Sequence, residues 1–146
     1  MAIDRSGIQH KRWQSFRCAA CGVSLCLIAC GASKPTAQLD RAASWAATTR
    51  ELAIERSLGS VGRRYTTQLL DAGLKDVRKI AQSLDSKTLP AGVRDRIPPA
   101  LAQLDTVMTR TAQSVDRGDL VGLGINAAAA DALGDTLQAL RKAAGP

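Results

Sequence analysis

Apolar residues recur every three or four positions in the second half of the chain, which is the spacing of one face of an α-helix. The clearest stripe consists of Ile97, Leu101, Leu104, Met108, Thr111 and Val115. Polar residues such as Arg110 fall on the opposite side. Pro98 and Pro99 suit the first helical turn, where backbone amides lack intrahelical acceptors, and Gly118 suits the end. The pattern predicts an amphipathic helix that ends at this glycine.

A second stripe precedes it and has the same period. Its members are Leu70, Leu74, Val77, Ala81 and Leu84, with Asp71, Lys75, Arg78 and Gln82 on the far side. We expect this helix to begin near Val61 and to continue through Gly73. A glycine inside a helix costs about 1 kcal/mol relative to alanine.

Two weaker stripes lie on either side of these two, one before the stripe that begins at Leu70 and one after Gly118. The first follows Thr36, a candidate N-cap, is interrupted by Arg50, and contains Leu39, Ala43, Ala46 and Ala53. The last follows Asp119, which suits an N-cap, and contains Leu123, Ala130, Leu133, Leu137 and Leu140. Arg141 and Lys142 close it near the negative end of the helix dipole.

The predicted fold class is all-α, because no stretch alternates apolar and polar residues with β-branched enrichment. Short links at 58–60 and 117–119 favour antiparallel neighbours, and a proline-containing connection at 85–96 joins the two pairs into an antiparallel four-helix bundle. In an alternative, the glycines of the first link bend the chain rather than break it. The bundle then has one long first helix, 37–84, and two shorter ones.

All four cysteines lie between residues 18 and 30. The spacing Cys18-x2-Cys21-x4-Cys26-x3-Cys30 permits a thiolate metal or iron–sulfur site. The residues between them are almost all apolar and include no proline, asparagine or aspartate to form turns. His10, the single histidine, stands alone in a basic stretch. A membrane-targeting segment therefore explains the cluster better than a metal site.

The N-terminal region has the order of a secretory signal. Residues 1–17 carry four basic side chains against Asp4, and an apolar run follows from Cys18 to Ala29. Twelve residues are too few for a comfortable span, which needs about 20. We therefore expect this segment to be removed rather than retained.

The run ends in Leu27-Ile28-Ala29-Cys30, which resembles the lipobox of bacterial lipoproteins. The resemblance implies cleavage between Ala29 and Cys30, diacylglycerol on the Cys30 sulfur and usually a further acyl chain on its new amino group. The expected organisation is a signal peptide at 1–29, a lipidated tether at 30–36 and a helical bundle domain at 37–146.

Lipidation implies a membrane as the first partner. Each buried CH₂ contributes about 0.8 kcal/mol, so two or more acyl chains on Cys30 anchor a protein stably. In enterobacterial lipoproteins, an aspartate directly after the lipidated cysteine tends to retain the protein in the inner membrane. This chain has Gly31 at that position. The expected location is the bacterial cell envelope, with the periplasmic face of the outer membrane favoured if the host has two membranes.

Composition argues against several functions of the mature chain. Without the leader it keeps 16 basic and 12 acidic residues of mixed order, with Trp45 and Tyr65 as its aromatic residues. Nucleic-acid binding is not expected, because a basic face with stacking platforms is missing. The mature chain has no histidine, the commonest metal ligand and general base, and we expect neither a cofactor nor a metal.

Three short motifs have ordinary structural explanations. Gly122-Leu-Gly124-Ile-Asn-Ala127 matches a dinucleotide loop, but three residues after Gly118 are too few for the required strand. Small residues at a helix contact are the preferred interpretation. Arg117-Gly118-Asp119 spells an integrin-recognised tripeptide and equally describes a helix end, a turn and a cap.

Two glutamates and the few large side chains also suggest no chemistry. Glu51 and Glu55 lie one turn apart, and we interpret them as part of a solvated face rather than a carboxylate pair, because no cleft is indicated. Met108, Trp45 and Tyr65 are assigned to packing.

The leading hypothesis is a membrane-anchored, non-enzymatic envelope lipoprotein whose helical domain binds or scaffolds a protein partner. The alternative is a small-ligand or lipid-binding bundle in the periplasm. A third hypothesis is a hydrolase using only aspartate, serine, threonine and lysine.

Overall fold

The computed structural model describes residues 34–145, which form four long helices joined by short links. These are α1 (Pro35–Ser57), α2 (Arg63–Ser83), α4 (Ile97–Arg117) and α5 (Leu120–Ala143), with the single-turn α3 (Ala91–Arg94) and a 3₁₀ turn (Ser86–Thr88) between α2 and α4. No strand occurs in this range. The all-α prediction is confirmed. The predicted signal segment lies outside the described residues.

Consecutive long helices run antiparallel and close into a ring of order α1, α2, α4, α5. One polar contact marks each adjacent pair: Gln38 with Ser83 (3.2 Å), Arg78 with Asp105 (2.6 Å), Ser114 with Asn126 (3.3 Å) and Asp40 with Arg141 (3.1 Å). α1 packs mainly on α5 and much less on α2, its neighbour in sequence. The contact between the first and last helices is therefore the most extensive in the four-helix bundle.

The first link breaks the chain, so the alternative of one long helix over 37–84 is wrong. Gly59 has a φ of 75°, a left-handed conformation that stops α1, and α2 begins at Arg63, two residues after the expected start near Val61. The predicted Thr36 cap is also wrong. Lys34 is the N-cap and Pro35 occupies the first helical position, where its fixed φ suits a helix start.

The apolar stripes form the core with two local changes. All six stripe residues of the helix starting at Ile97 are buried. In α2, Ile80 is buried and Ala81 is exposed, so the core face turns slightly near the helix end. In α1, Thr49 takes the buried position, and the adjacent Arg50 reaches Asp131 of α5 at 3.2 Å. Thr49 fits there because its hydroxyl donates to the Trp45 carbonyl oxygen at 2.8 Å.

The turn between α4 and α5 has the predicted form. Gly118 adopts a left-handed φ of 68° at the end of α4, and the Asp119 carboxylate accepts a hydrogen bond from the Gly122 amide at 2.9 Å. A Cβ on Gly122 would overlap that carboxylate and lie 2.6 Å from the Ser114 hydroxyl. Gly122 is therefore required by the cap itself.

Replacing Asp119 with alanine is expected to lower the free energy of unfolding by about 1 kcal/mol, because the first turn of α5 loses its side-chain acceptor and its favourable charge. Urea unfolding followed by circular dichroism measures the change. Asp135→Ala, an exposed site within α5, is the matched control and should have little effect. Equal losses in the two variants would contradict the capping role.

Candidate functional site

The two ends of the bundle differ in what they present. The end that contains Lys34, Ser83, Ile97 and Ala143 is here called the proximal end, because Lys34 is the first described residue. The opposite end is called the distal end and contains the links after α1 and α4. Cys30 and Ala29, the predicted lipidation and cleavage residues, lie outside the described residues.

Large apolar side chains are exposed at the distal end. We call this set the distal patch, and it consists of Leu58 (72% exposed), Tyr65 (57%), Leu120 (60%), Val121 (74%) and Ile125 (65%). They come from the end of α1, the first turn of α2 and the first two turns of α5. Within residues 34–145, the large apolar side chains that are exposed all belong to this set. Such a concentration at one end is typical of an interaction surface rather than of scattered exposure.

The patch arises from the composition of α5. Its first eleven residues, 120–130, include no charged side chain. Leu123, Ala127 and Ala130 point into the core, and this leaves Val121 and Ile125 on the solvent side. An ordinary surface helix places charged residues there instead. The sequence analysis did not identify this surface, although the uncharged run was a visible signal.

Arginines lie beside the distal patch. Arg63 approaches Asp116 of α4 at 3.8 Å, and Asp119 is engaged as the α5 cap. Arg64 and Arg117 are exposed and form no ion pair within the described part of the chain. The distal end therefore combines apolar area with uncompensated positive charge, which favours partners that carry carboxylates.

A groove of about 600 Å³ runs between α4 and α5 and starts one turn below Ile125. This α4/α5 groove is lined by Ala102, Gln103, Thr106, Val107, Arg110, Ala129, Ala132, Leu133 and Thr136. Its walls are mostly small side chains. Arg110 is the charged residue of the lining, and it forms no ion pair within residues 34–145.

A second groove, of about 580 Å³, lies between α2 and α4 near the proximal end. Leu84, Ile97 and Leu101 line it, and the Arg78–Asp105 pair stands at its edge. The hydrogen bond to Asp105, followed by its negative charge, raises the pKa of Arg78 above the ordinary value, with a smaller opposing effect of desolvation.

Trp45 belongs to the packing of α1 on α2, as predicted. Its indole Nε1 donates to Asp76 at 2.7 Å, and the same carboxylate pairs with Arg41 at 2.5 Å. Tyr65 is exposed at the distal end, so assigning it to packing is wrong. Met108 is fully buried in the core, as expected.

The other motifs of the sequence do not assemble into a site. Glu51 pairs with Arg50, the neighbouring residue, on an exposed surface. Gly122 makes the cap contact described above, whereas Gly124 has open space around it and does not lie at a helix contact. Within residues 34–145, no three His, Cys, Asp or Glu side chains are close enough to hold a metal ion. None of the helices described here is long and apolar enough to cross a membrane.

Comparison with known proteins adds no family. No protein-family model, curated protein or solved structure matches this chain.

Proposed function

We propose that this protein is a lipid-anchored component of the bacterial cell envelope whose helical bundle binds a protein partner without catalysing a reaction. The observation that supports partner binding is the distal patch, with its large apolar side chains beside unpaired arginines. The lipobox-like Leu27-Ile28-Ala29-Cys30 supports the anchor. Gly31 favours the periplasmic face of the outer membrane in a host with two membranes.

The geometry makes the two parts compatible. Cys30 precedes the first described residue, Lys34, by four positions, so an acylated Cys30 would hold the proximal end close to the lipid surface. α1 has 23 residues and spans about 35 Å at 1.5 Å per residue. An upright bundle then presents the distal patch well beyond the lipid headgroups. In this arrangement the membrane and the partner do not compete for the same surface.

A Cys30→Ala variant tests the anchor. The chain from its native host should lack residues 1–29, carry acyl mass and remain with the membrane fraction, whereas the variant should lose the acyl mass and leave that fraction. Intact-mass spectrometry and fractionation measure both properties. Cys26→Ala is the matched control, because that cysteine is discarded with the leader, and it should behave as the unmodified chain. An unprocessed, unacylated mass of the unmodified chain would contradict the proposal.

The α2/α4 groove supports a second candidate function, the binding of a small amphiphilic ligand. Its apolar floor of Leu84, Ile97 and Leu101 suits a hydrocarbon segment, and the charged Arg78 at its edge suits a polar head. Such a ligand would add a discrete mass to the same protein in spectra recorded under non-denaturing conditions.

A further inference from the structure

We propose that the α4/α5 groove is the docking site for an amphipathic helix of the partner protein, and that a carboxylate on this helix pairs with Arg110. The inference rests on the proposed partner-binding function. It adds the location, the secondary structure and the charge of the segment that binds.

The first observation is the register of the residues that form the groove. On α5, the lining residues Ala129, Ala132 and Thr136 stand at i, i+3 and i+7, and Ile125, one turn before Ala129, continues the same helical stripe beyond the groove. On α4, Ala102, Thr106 and Arg110 stand at i, i+4 and i+8 and form the facing stripe. Two parallel ridges with a furrow between them are the surface on which a third helix packs.

The size of the side chains is the second observation. Ala102, Ala129 and Ala132 allow the backbone of a docked helix to approach closely. The exposed Ile125 lies one turn beyond the groove, toward the distal end. The stripe from Ile125 to Thr136 extends about 16 Å, at 1.5 Å per residue. That length accommodates about three turns of a helix with apolar residues at i, i+3, i+4 and i+7.

The positive charge of Arg110 indicates which kind of helix would bind in the groove. Arg110 lies within the lining, and no acidic residue of α4 or α5 lines the groove beside it. Of the acidic residues on these helices, Asp105 pairs with Arg78 of α2 and Asp131 pairs with Arg50 of α1. Asp135 forms no ion pair within residues 34–145, but it does not line the groove. An apolar helix lacking a carboxylate would leave the Arg110 guanidinium partly desolvated without a partner, so an acidic residue in the segment is required.

Continuity with the distal patch is the third observation. Ile125 of the distal patch precedes the groove residue Ala129 by one turn on the same stripe, and Val121 precedes Ile125 by one turn. A helix in the groove can therefore extend over the patch, where Arg117 offers a second cation for a further carboxylate.

Site-specific photocrosslinking in the full-length chain, in its native host, tests the location. A photoreactive amino acid at Ala132 should crosslink to one segment of another protein, with an apolar helical stripe and at least one Asp or Glu. The same group at the exposed Gln82 of α2, the helix diagonal to α5, is the control and should not capture that segment. Capture from Tyr65 but not from Ala132 would keep the partner-binding function and overturn the groove.

A synthetic peptide of the captured segment then tests the charge pairing against the purified chain. Arg110→Glu should weaken binding at least tenfold, and replacing the peptide carboxylate with lysine should restore most of the loss in that variant. Lys79→Glu, an exposed site on α2, is the control of equal charge change and should leave affinity within about twofold. Unchanged affinity of Arg110→Glu, or crosslinks from Ala132 only to lipid or to a second copy of this chain, would overturn the proposal.

Discussion

Replacing Gly73 with alanine is expected to lower the free energy of unfolding by about 2 kcal/mol, although the same change inside an exposed helix raises it by up to about 1 kcal/mol. A Cβ at this position would lie 2.5 Å from Met108 Cε and 2.7 Å from Trp45 Cε3. The terminal methyl group of Met108 can rotate away. The indole ring of Trp45 is held in place, because its Nε1 donates a hydrogen bond to Asp76. The loss arises from this displaced ring. Urea unfolding followed by circular dichroism measures it.

Two further variants separate this steric effect from helix propensity. Gly124→Ala adds the same methyl group to a helix where nothing lies within 4 Å, and it should raise the free energy of unfolding by about 0.5–1 kcal/mol. In a Trp45→Leu background, Gly73→Ala should cost much less, and the double-mutant cycle should give a coupling of at least about 1 kcal/mol. A stabilising Gly73→Ala in the unmodified chain would contradict the described packing.

Gly73 illustrates what periodicity predicts and what it does not. The apolar stripe on α2 correctly predicted a helix through this position. From the sequence alone, however, Gly73 appears only as a residue that lowers the stability of its own helix. The reason for the glycine lies on α1 and α4, at Trp45 and Met108, and the sequence does not show which side chains of other helices meet a given position. Gly118 shows the converse case, where a left-handed turn is a local property that the sequence signals well.

The helix ends show how well local features can be predicted from the sequence. Asp119 and Gly118 were predicted correctly because a cap and a left-handed turn involve residues a few positions apart. The start of α1 was predicted wrongly, since Pro35 and Thr36 are both acceptable first-turn residues and their side chains alone do not decide between them. Pro35 takes the first helical position because its ring already fixes φ near the helical value.

The candidate site depended on longer-range information. The proposed anchor at Cys30 rests on a contiguous sequence motif and stays a prediction. The docking surface was not predicted, because α5 is apolar on nearly all sides in its first half and its pattern does not distinguish the core face from the solvent face. Packing on α1 and α4 makes that choice, burying Leu123 and Ala127 and leaving Val121 and Ile125 exposed.

The dominant contact of the bundle, between α1 and α5, is built from small side chains. Ala42 and Ala46 are fully buried on α1, and Ala130 is fully buried on α5. A Cβ on Gly134 would lie 3.7 Å from the Ala46 Cβ, an ordinary contact that shows how near the two helices approach there. Close approach increases dispersion contacts but leaves no volume for a larger side chain.

Ala46→Leu is therefore expected to lower the free energy of unfolding by about 3 kcal/mol, because three added heavy atoms must force α1 away from α5 or distort rotamers around them. The matched control is Ala47→Leu, which adds the same volume to the adjacent, exposed position and should change stability by at most about 0.5 kcal/mol. Urea midpoints of both variants provide the comparison. Similar stabilities would mean that α1 does not depend on close packing against α5. A large loss confined to Ala46→Leu would show that the stability of the bundle depends on close packing between its first and last helices.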